Sequence, residues 1–586
     1  MPDDTRDTLK QEFGDRASLA ATLHDAESRR SFLQALGTAG IVGLAGCAGG
    51  GGSSEATTTG GTATPTDESD TGGESTATET DSGSGSTGPT LRLNATQRFG
   101  TVDPAKGTDY TQVMALVNLY DALVFPDSEG TLKPHLAADW SVSDDNKTYT
   151  FELREDATFH SGNPVRAEDV VFSVERFFDI NQGYASLLTG VLSKENVTAL
   201  DEKTVEFELD RVHSPFLATL VLLFITDKKT VMAQAKDGDF GERGDYGQEW
   251  LNSHDAGSGA YTLQNFERQA SISFSRYEDY WKGWHDSPFE TVQIRIITKD
   301  PTVRSLMKTG ELGMTSQYQS TETYQSLEQE DGVRVKSIPT VTVFYMKINT
   351  QIEPTSDPAV REAMAYGFDY ETARKEIAPG SLPAKGPLAP AFGAHKEDVH
   401  QPTYDPERAK QVLSDAGYSE GDITIQNTYV QSFGLEEKMG LLFQQNMDAI
   451  GIDVELNPQT WGTMTELATT VDKTPHVNQV FYGPVYPSPD TVFYNQYHSE
   501  ASSTWMSMEH LQDDEVDGLI DEARGTVDAE SRNEIYANLQ ERLANLYPDL
   551  FVFVQSKKHA FAEDVGGYTF RPSMSYDYWF HNYEHR

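Results

Sequence analysis

Short runs of alternating apolar and polar residues recur from residue 90 onward and predict β-strands with one buried face. The clearest runs are 149–153, 205–209 and 292–296, where every second side chain is apolar. Elsewhere the spacing changes to that of a helix, with Val170 and Val174 on the same predicted face as Phe177. The chain therefore mixes strands and helices throughout its length.

One predicted helix leads directly into a strand. Its apolar face consists of Met439, Leu442, Phe443, Met447 and Ile450. Gly451 comes next, and glycine is the residue that most readily adopts the left-handed conformation that ends a helix. Residues 452–456 then alternate again. This order of helix, glycine and strand predicts α/β lobes and not a solenoid or a barrel.

The first ninety residues carry signals of export instead of a folding pattern. Residues 28–34 (SRRSFLQ), which include Arg29 and Arg30, resemble the twin-arginine export signal. The apolar stretch after them is shorter than the ~20 residues that span a bilayer. It ends at Cys47, behind Leu-Ala-Gly, in a sequence that resembles a lipobox. We therefore expect residues 1–47 to be a twin-arginine lipoprotein signal with lipid attached at Cys47.

Residues 48–89 consist mainly of Gly, Ser, Thr and acids, with seven acidic residues and no Lys or Arg. Such a composition cannot bury enough apolar surface to offset the entropy cost of ordering. We expect this segment to be a disordered tether between the lipid and the folded part. The predicted location is the extracellular face of the cell membrane.

The chain of 586 residues has a net charge of −45, from 91 acidic residues against 46 Lys and Arg. Acids are dispersed along the whole globular part, which keeps a protein soluble where salt screens repulsion strongly. We interpret this charge as adaptation to a hypersaline medium, as in a halophilic archaeon. It argues against nucleic-acid binding, which needs a basic surface.

Sequence patterns of catalysis are absent. We find no Gly-x-Ser-x-Gly, no phosphate-binding loop, no His-Glu-x-x-His and no Cys-x-x-Cys, and Cys47 is the single cysteine. The histidines are scattered without ligand spacing. The sequence therefore predicts a binding protein with no catalytic residues, no metal site and no cofactor.

Several motifs resemble, in order, those of the family 5 solute-binding proteins, which include peptide, oligopeptide and nickel binders of ABC importers. The motifs are NLYDAL (118–123), LAADW (136–140), YTFELR (149–154), FHSGNP (159–164), AEDVVFS (167–173), GSGAY (257–261), YWKG (280–283), GEL (310–312), FYMKINT (344–350), DPAVREA (357–363), YDPERA (404–409) and GIDV (451–454). We interpret the conspicuous motif residues as parts of the scaffold. His160, within FHSGNP, is taken as a turn residue, because no pattern in the sequence supplies a partner for catalysis.

The resemblance implies an α/β fold with a two-lobe, periplasmic-binding-protein-like clamp of the large peptide-binder subclass. We expect lobe 1 at 90–345, lobe 2 at 346–552 and a return to lobe 1 at 553–586. The expected function is delivery of a small solute, preferably a peptide, to the permease subunits of an ABC importer by lobe closure, with the protein a monomer. The alternatives are a non-peptide solute, such as a sugar, and an extracellular hydrolase.

The resemblance also suggests ligand contacts. Trp461 is similar to a tryptophan that lines the side-chain pocket in the family. The aromatic segment 481–490 matches a family loop whose aspartate pairs with the ammonium of a peptide, and here Val485 stands at that position. Tyr482 is its neighbouring aromatic residue, and Asp490 is an acid that could replace the missing one.

Further candidates complete the predicted site residues. Tyr486 lies in the same aromatic loop, and Phe99 begins a segment that matches a family stretch bordering the cleft. Three Asn-x-Ser/Thr sequons, at Asn94, Asn146 and Asn196, are acceptor sequences for glycosylation in an exported chain.

Overall fold

The structure is a computed structural model that describes residues 88–431 and 433–586. The described residues belong to one compact unit. The predicted export signal with Arg29 and Arg30, the lipid site at Cys47 and the tether up to residue 87 lie outside the described residues.

Strands occur along the whole described chain. They are β1 (Thr90–Ala95), β2 (Val124–Pro126), β3 (Leu132–Pro134), β4 (Ala137–Val142), β5 (Thr148–Leu153), β6 (Val197–Ala199), β7 (Thr204–Glu208), β8 (Tyr261–Glu267), β9 (Ser271–Arg276), β10 (Thr291–Ile296), β11 (Val333–Ile348), β12 (Leu382–Pro383), β13 (Ile423–Val430), β14 (Ile452–Gln459), β15 (Val477–Tyr482), β16 (Asp549–Ala562), β17 (Val565–Gly566) and β18 (Glu584–His585).

Helices alternate with these strands. They are α1 (Tyr110–Leu119), α2 (Ala167–Ile180), α3 (Phe216–Thr219), α4 (Lys228–Gln234), α5 (Gln248–Leu251), α6 (Asp300–Lys308), α7 (Thr321–Leu327), α8 (Pro358–Gly367), α9 (Tyr370–Thr372), α10 (Pro406–Asp415), α11 (Gly434–Asp448), α12 (Trp461–Leu467), α13 (Asp490–Tyr497), α14 (Asp514–Gly525) and α15 (Ala529–Leu546). Within the described ranges no helix combines the length and the apolar character needed to cross a membrane.

The predicted elements form where the patterns place them. The three alternating runs lie in β5, β7 and β10. The first helical pattern lies in α2, and the second lies in α11. Gly451 has a φ of 87°, which is the left-handed conformation expected after a helix, and β14 follows at the next residue. The local prediction of an α/β chain is confirmed.

Three of the five sheets in the described residues have four or more strands. Two have four strands each, in the orders β1-β10-β9-β8 and β4-β5-β7-β6, and the third has six strands in the order β12-β16-β11-β15-β13-β14. The two long strands β11 and β16 pair antiparallel from Val333↔Ala562 to Lys347↔Asp549. Their ladder is irregular between Pro339 and Val343.

Two large apolar cores lie at the two ends of this long β11–β16 ribbon. One core contains residues of β1, β5 and β10 together with Phe561 of β16, and we call the part of the chain around it the first lobe. The other contains Tyr345 of β11, Phe551 of β16 and side chains of α14 and α15, and we call its surroundings the second lobe. The chain thus passes twice between two cores, as the predicted two-lobe fold requires.

A buried carboxylate explains why several motifs occur together. Asp121 is 1 % exposed and accepts hydrogen bonds from Ser258 Oγ at 3.0 Å, Tyr280 OH at 3.1 Å and Trp281 Nε1 at 3.1 Å. His135 Nε2 lies 2.8 Å from the same carboxylate. A buried charge is tolerated only when it is well hydrogen-bonded, and here residues of three motifs supply these hydrogen bonds inside the first lobe.

Two glycines and a histidine complete this scaffold. A Cβ on Gly257 would lie 1.9 Å from the carbonyl oxygen of Leu119, so no larger residue fits there without moving backbone. His160, interpreted from the sequence as a turn residue, contacts Asp255 through Nδ1 and the carbonyl of Gly259 through Nε2 at 2.9 Å. Burial lowers the pKa of His160, but Asp255 outweighs it, so that this pKa is raised overall.

Candidate functional site

The carboxyl ends of three parallel strands meet at one edge of the six-stranded sheet. β13 pairs in parallel with β14 and with β15. The chain leaves these strands at Gln431, Thr460 and Gly483, so the segments that follow them gather at the same edge. In open α/β sheets, ligands bind outside the carboxyl ends of such strands. This edge is therefore the first place to look for a binding site.

A continuous row of rings crosses from the first lobe to this edge. Tyr110 contacts Tyr318 edge-to-face at 5.6 Å, Tyr318 contacts Phe433 edge-to-face at 6.1 Å, and Phe433 contacts Phe481 at 5.6 Å. All four rings are half-buried. Together with Phe570, which is also half-buried, we call them the aromatic wall. Offset and edge-to-face pairs of this kind add about 0.5–1.5 kcal/mol each beyond the buried area.

The wall lies in an enclosed part of the molecule. Tyr318 keeps part of its surface accessible, yet burial raises its pKa to about 12. Burial likewise raises the pKa of Tyr110 well above its usual value. Both hydroxyl groups therefore lie in a low-dielectric environment, although part of each ring remains accessible.

A buried ion pair lies against the wall. Lys557 Nζ donates to Asp577 Oδ2 at 2.8 Å, and Tyr568 OH donates to the same oxygen at 2.7 Å. The ammonium nitrogen is 5.6 Å from the ring centres of both Tyr110 and Phe570. Lys557 and Asp577 are 7 % and 1 % exposed. The pair fixes two wall rings through cation–π contacts while its own charges cancel.

Trp461 lies at this edge. It begins α12, directly after the N-cap Thr460, and is 36 % exposed. Its ring contacts Trp505 edge-to-face at 5.1 Å, and Trp505 lies 6.0 Å from Tyr482. Trp505 was not among the predicted site residues, because nothing local in its sequence distinguishes it.

Tyr482 and Val485, two of the predicted ligand contacts, are both buried. Tyr482 is 1 % exposed and donates its hydroxyl to the carbonyl of Thr491 at 2.6 Å. Val485 is 2 % exposed and packs in the first-lobe core, although the chain on both sides of it belongs to second-lobe elements. Its carbonyl accepts a hydrogen bond from Ser573 Oγ at 3.1 Å. The loop after β15 thus docks on the other lobe.

Asp490 and Tyr486 are paired with each other. Tyr486 OH donates to Asp490 Oδ2 at 2.6 Å, and Arg524 Nε lies 3.3 Å from Asp490 Oδ1. All three side chains are buried. Burial raises the pKa of Asp490, and the Arg524 guanidinium opposes that shift. This carboxylate is therefore occupied within the protein.

Phe99 lies apart from this group, buried in the first-lobe core with an edge-to-face contact to Phe266 at 6.4 Å. The sequon at Asn94 needs a correction. Asn94 is completely buried, its amide donates to the carbonyl of Ile297 and its oxygen accepts from Ser316 N. A glycan on this side chain would break both bonds and has no space in the folded protein.

The other two sequon asparagines are half-buried and form local bonds. Asn146 Nδ2 donates to the carbonyl of Asp144 at 3.4 Å, and Asn196 Nδ2 donates to Asp210 Oδ1 at 3.1 Å. No group of three or more His, Cys, Asp or Glu side chains suited to a metal ion occurs in residues 88–431 and 433–586.

Tyr110 and Tyr318 of the aromatic wall, and Lys557 beside it, were not predicted from the sequence. Tyr110 and Tyr318 are about two hundred residues apart and share no motif, and Lys557 looks like an ordinary strand lysine until Asp577 folds against it. The only signal that could have pointed to the site is the order of parallel strands, and strand order is not visible in one sequence.

Comparison with known proteins identifies the family of this chain. The sequence model of "Bacterial extracellular solute-binding proteins, family 5 Middle" matches residues 131–504. The dipeptide-binding protein of Escherichia coli (strain K12) is 26 % identical over 492 residues, covering 80 % of this chain and 89 % of that protein. Heme-binding protein A of Haemophilus influenzae is 27 % identical over 508 residues, covering 82 % and 90 %.

The fold has solved counterparts as well. The periplasmic binding protein DppA from Helicobacter pylori, in complex with the peptide STSA, superimposes with a TM-score of 0.74 at 22 % identity, covering 85 % of this chain and 98 % of that one. The two-lobe fold inferred from the two cores is thereby confirmed. With a family match over most of its folded part, the chain belongs to the bacterial extracellular solute-binding proteins of family 5.

Proposed function

We propose that this protein captures a peptide between its two lobes and delivers it to an ABC importer by lobe closure. The observation that carries the proposal is the aromatic wall, because its rings come from both lobes and meet at the carboxyl ends of parallel strands. The relatives support it, since several are named for binding dipeptides or oligopeptides.

The proposed closure uses contacts between the lobes. Lys438 Nζ of α11 lies 2.9 Å from Glu322 Oε1 of α7, and Ser214 N donates to the carbonyl of Arg524 at 2.8 Å. We place lobe 1 at 90–345, lobe 2 at 346–552 and the return at 553–586. A ligand that contacts both halves of the wall would favour this closed arrangement through its differential affinity.

The proposal includes a route to the membrane. The twin-arginine signal at Arg29 and Arg30 would export the protein, lipid on Cys47 would anchor it, and residues 48–89 would tether the folded part near the permease as a monomer. Lipid anchoring and export can be read directly from the mass of the mature membrane-extracted chain, which should begin at a modified Cys47.

The test is calorimetric titration of the full chain with apolar tripeptides and tetrapeptides, followed by chromatography of the recovered peptide. We expect one-to-one binding and recovery of intact peptide. Cleavage of the peptide in step with protein concentration would favour the hydrolase alternative, and absence of binding by any peptide would overturn the peptide proposal.

A non-peptide organic solute is the second candidate. The observation that favours it is the complete burial of Val485 in the first-lobe core, because this loop offers no acid to a peptide ammonium. Mass spectrometry of small molecules released from the natively purified protein separates the two candidates: a set of peptides supports the first, and one non-peptide solute supports the second.

A further inference from the structure

We propose that the natural ligand is electrically neutral and largely apolar, such as an end-blocked or cyclic peptide, and that no charged terminus is needed for its recognition. This inference rests on the proposed function, because it takes the aromatic wall as the ligand site. It goes further in naming the chemical class of the ligand.

The cation at the aromatic wall is already neutralised within the protein. Lys557 is the lysine whose ammonium contacts wall rings, and Asp577 already neutralises it at 2.8 Å. Arg571, next to Phe570, turns instead to the rings of Phe125 and Trp579 at 5.2 and 5.3 Å. A carboxylate on the ligand would therefore meet an ammonium whose charge is already balanced.

Two further acids, Asp109 and Asp490, are hydrogen-bonded within the protein. Asp109, beside Tyr110, accepts hydrogen bonds at 2.9 Å from the N–H groups of Thr111 and Gln112 at the start of α1. Burial raises the pKa of Asp109, and these two N–H groups oppose that shift. Asp490 is engaged by Arg524 and Tyr486, as described above.

A fourth carboxyl group lies behind Phe433. Glu436 is 3 % exposed and accepts a hydrogen bond from Val430 N at 2.7 Å. Burial raises its pKa to about 8, so it is mostly uncharged at neutral pH. At the outer edge, Lys438 and Glu322 pair with each other at 2.9 Å.

The energetic consequence concerns the desolvation of a charged ligand end. Burying an ammonium or a carboxylate without an unpaired counter-charge costs several kcal/mol, and about 25 cal/mol per Å² of buried apolar surface cannot easily offset two such ends on a short peptide. By contrast, any apolar side chain of the ligand gains favourable contact with the rings of the aromatic wall. A neutral ligand gains from the wall without that cost.

The experiment compares one peptide in two forms on the full chain by calorimetry: the zwitterion Phe-Leu-Phe and the same tripeptide with an acetyl and an amide end. We expect the blocked form to bind about tenfold more tightly. Equal or tighter binding of the zwitterion would overturn the inference and leave the peptide function intact. If neither form binds, the peptide function fails, and the net charge of the solute released from the native protein decides the inference: neutral supports it, charged overturns it.

A variant that removes the negative charge of Asp577 gives an independent test. Asp577→Asn keeps an acceptor for Tyr568 but leaves the Lys557 ammonium unbalanced beside the wall. We expect the ratio of affinities to shift about tenfold toward a peptide with a free carboxylate. The matched control is Asp179→Asn, because Asp179 also contacts a lysine, Lys194, and a tyrosine hydroxyl, that of Tyr246, away from the wall. The control should leave the ratio unchanged; an unchanged ratio in Asp577→Asn as well would contradict the inference.

Discussion

Two buried carboxylates, Asp121 and Asp577, show how this protein separates scaffold from site. Asp121 is surrounded by four polar side chains and lies among motif residues of the first lobe. Asp577 is engaged through one oxygen by Lys557 and Tyr568, while its Oδ1 has no hydrogen-bond partner among the described residues. Both carboxylate oxygens of Asp121 are thus engaged, whereas Asp577 uses one oxygen only, and a polar atom left unpaired in a buried network costs free energy.

The comparison teaches that the recognisable motifs and the proposed ligand contacts are different sets of residues. The motif residues around Asp121 hydrogen-bond to one another within the first lobe, so the fold constrains their identity. The rings of the aromatic wall come from both lobes, and in the proposed function they contact the ligand.

Asp121→Ala should produce the largest effect on stability. The change leaves the donors of Ser258, Tyr280 and Trp281 buried without an acceptor, at a cost of about 3–5 kcal/mol in unfolding free energy. The midpoint of urea denaturation measures it. A loss below about 1 kcal/mol would mean that the network is not a structural requirement.

Two glycine substitutions test the same contrast between the first-lobe scaffold and the proposed site. Gly257→Ala should cost about 3 kcal/mol or more, because the new Cβ meets backbone at 1.9 Å from Leu119 O. Gly483→Ala, at the site, should cost about 1 kcal/mol, because its Cβ meets only the side chain of Thr342, which can rotate away. Thermal unfolding of both variants tests the order, and equal losses would contradict it.

Glu436→Gln tests the uncharged carboxyl group behind the wall. Its pKa is raised to about 8 in the folded protein against about 4.5 unfolded, so the folded state holds the extra proton between these values. The free energy of unfolding therefore falls as pH rises through this window. The uncharged Gln side chain in Glu436→Gln does not titrate, so the variant lacks this fall. We expect Glu436→Gln to gain on the order of 2 kcal/mol relative to the parent between pH 5 and pH 8, measured by denaturant titration. A difference that does not change with pH would show that Glu436 is charged.

Phe433→Ala tests the wall itself. Removing this ring should weaken binding of the ligand, or of a blocked apolar tripeptide, by about tenfold, which is ~1.4 kcal/mol. Phe178→Ala is the control, because Phe178 is also half-buried and contacts a neighbouring ring, that of Phe177 at 6.0 Å. The control should keep the parent affinity. Equal affinities in both variants would place the ligand elsewhere.

The sequence by itself determined the local structure and the family. Alternation in runs such as 149–153 encodes one buried face, and Gly451 ends a helix because only glycine reaches φ near 87° without strain. Gly257 and Asp121 are recognisable because the fold constrains them so tightly. These features act over a few residues or through motifs, so a single chain displays them.

The tertiary structure alone decided which residues form the proposed site. Tyr110, Tyr318 and Phe433 meet only because the β11–β16 ribbon and the parallel strand ends bring three distant segments together. It also showed that Asp490 is paired with Arg524 and that Asn94 is buried, although both look available in the sequence. The physical reason is that periodicity records whether a side chain is buried, whereas its partner depends on how separate elements pack.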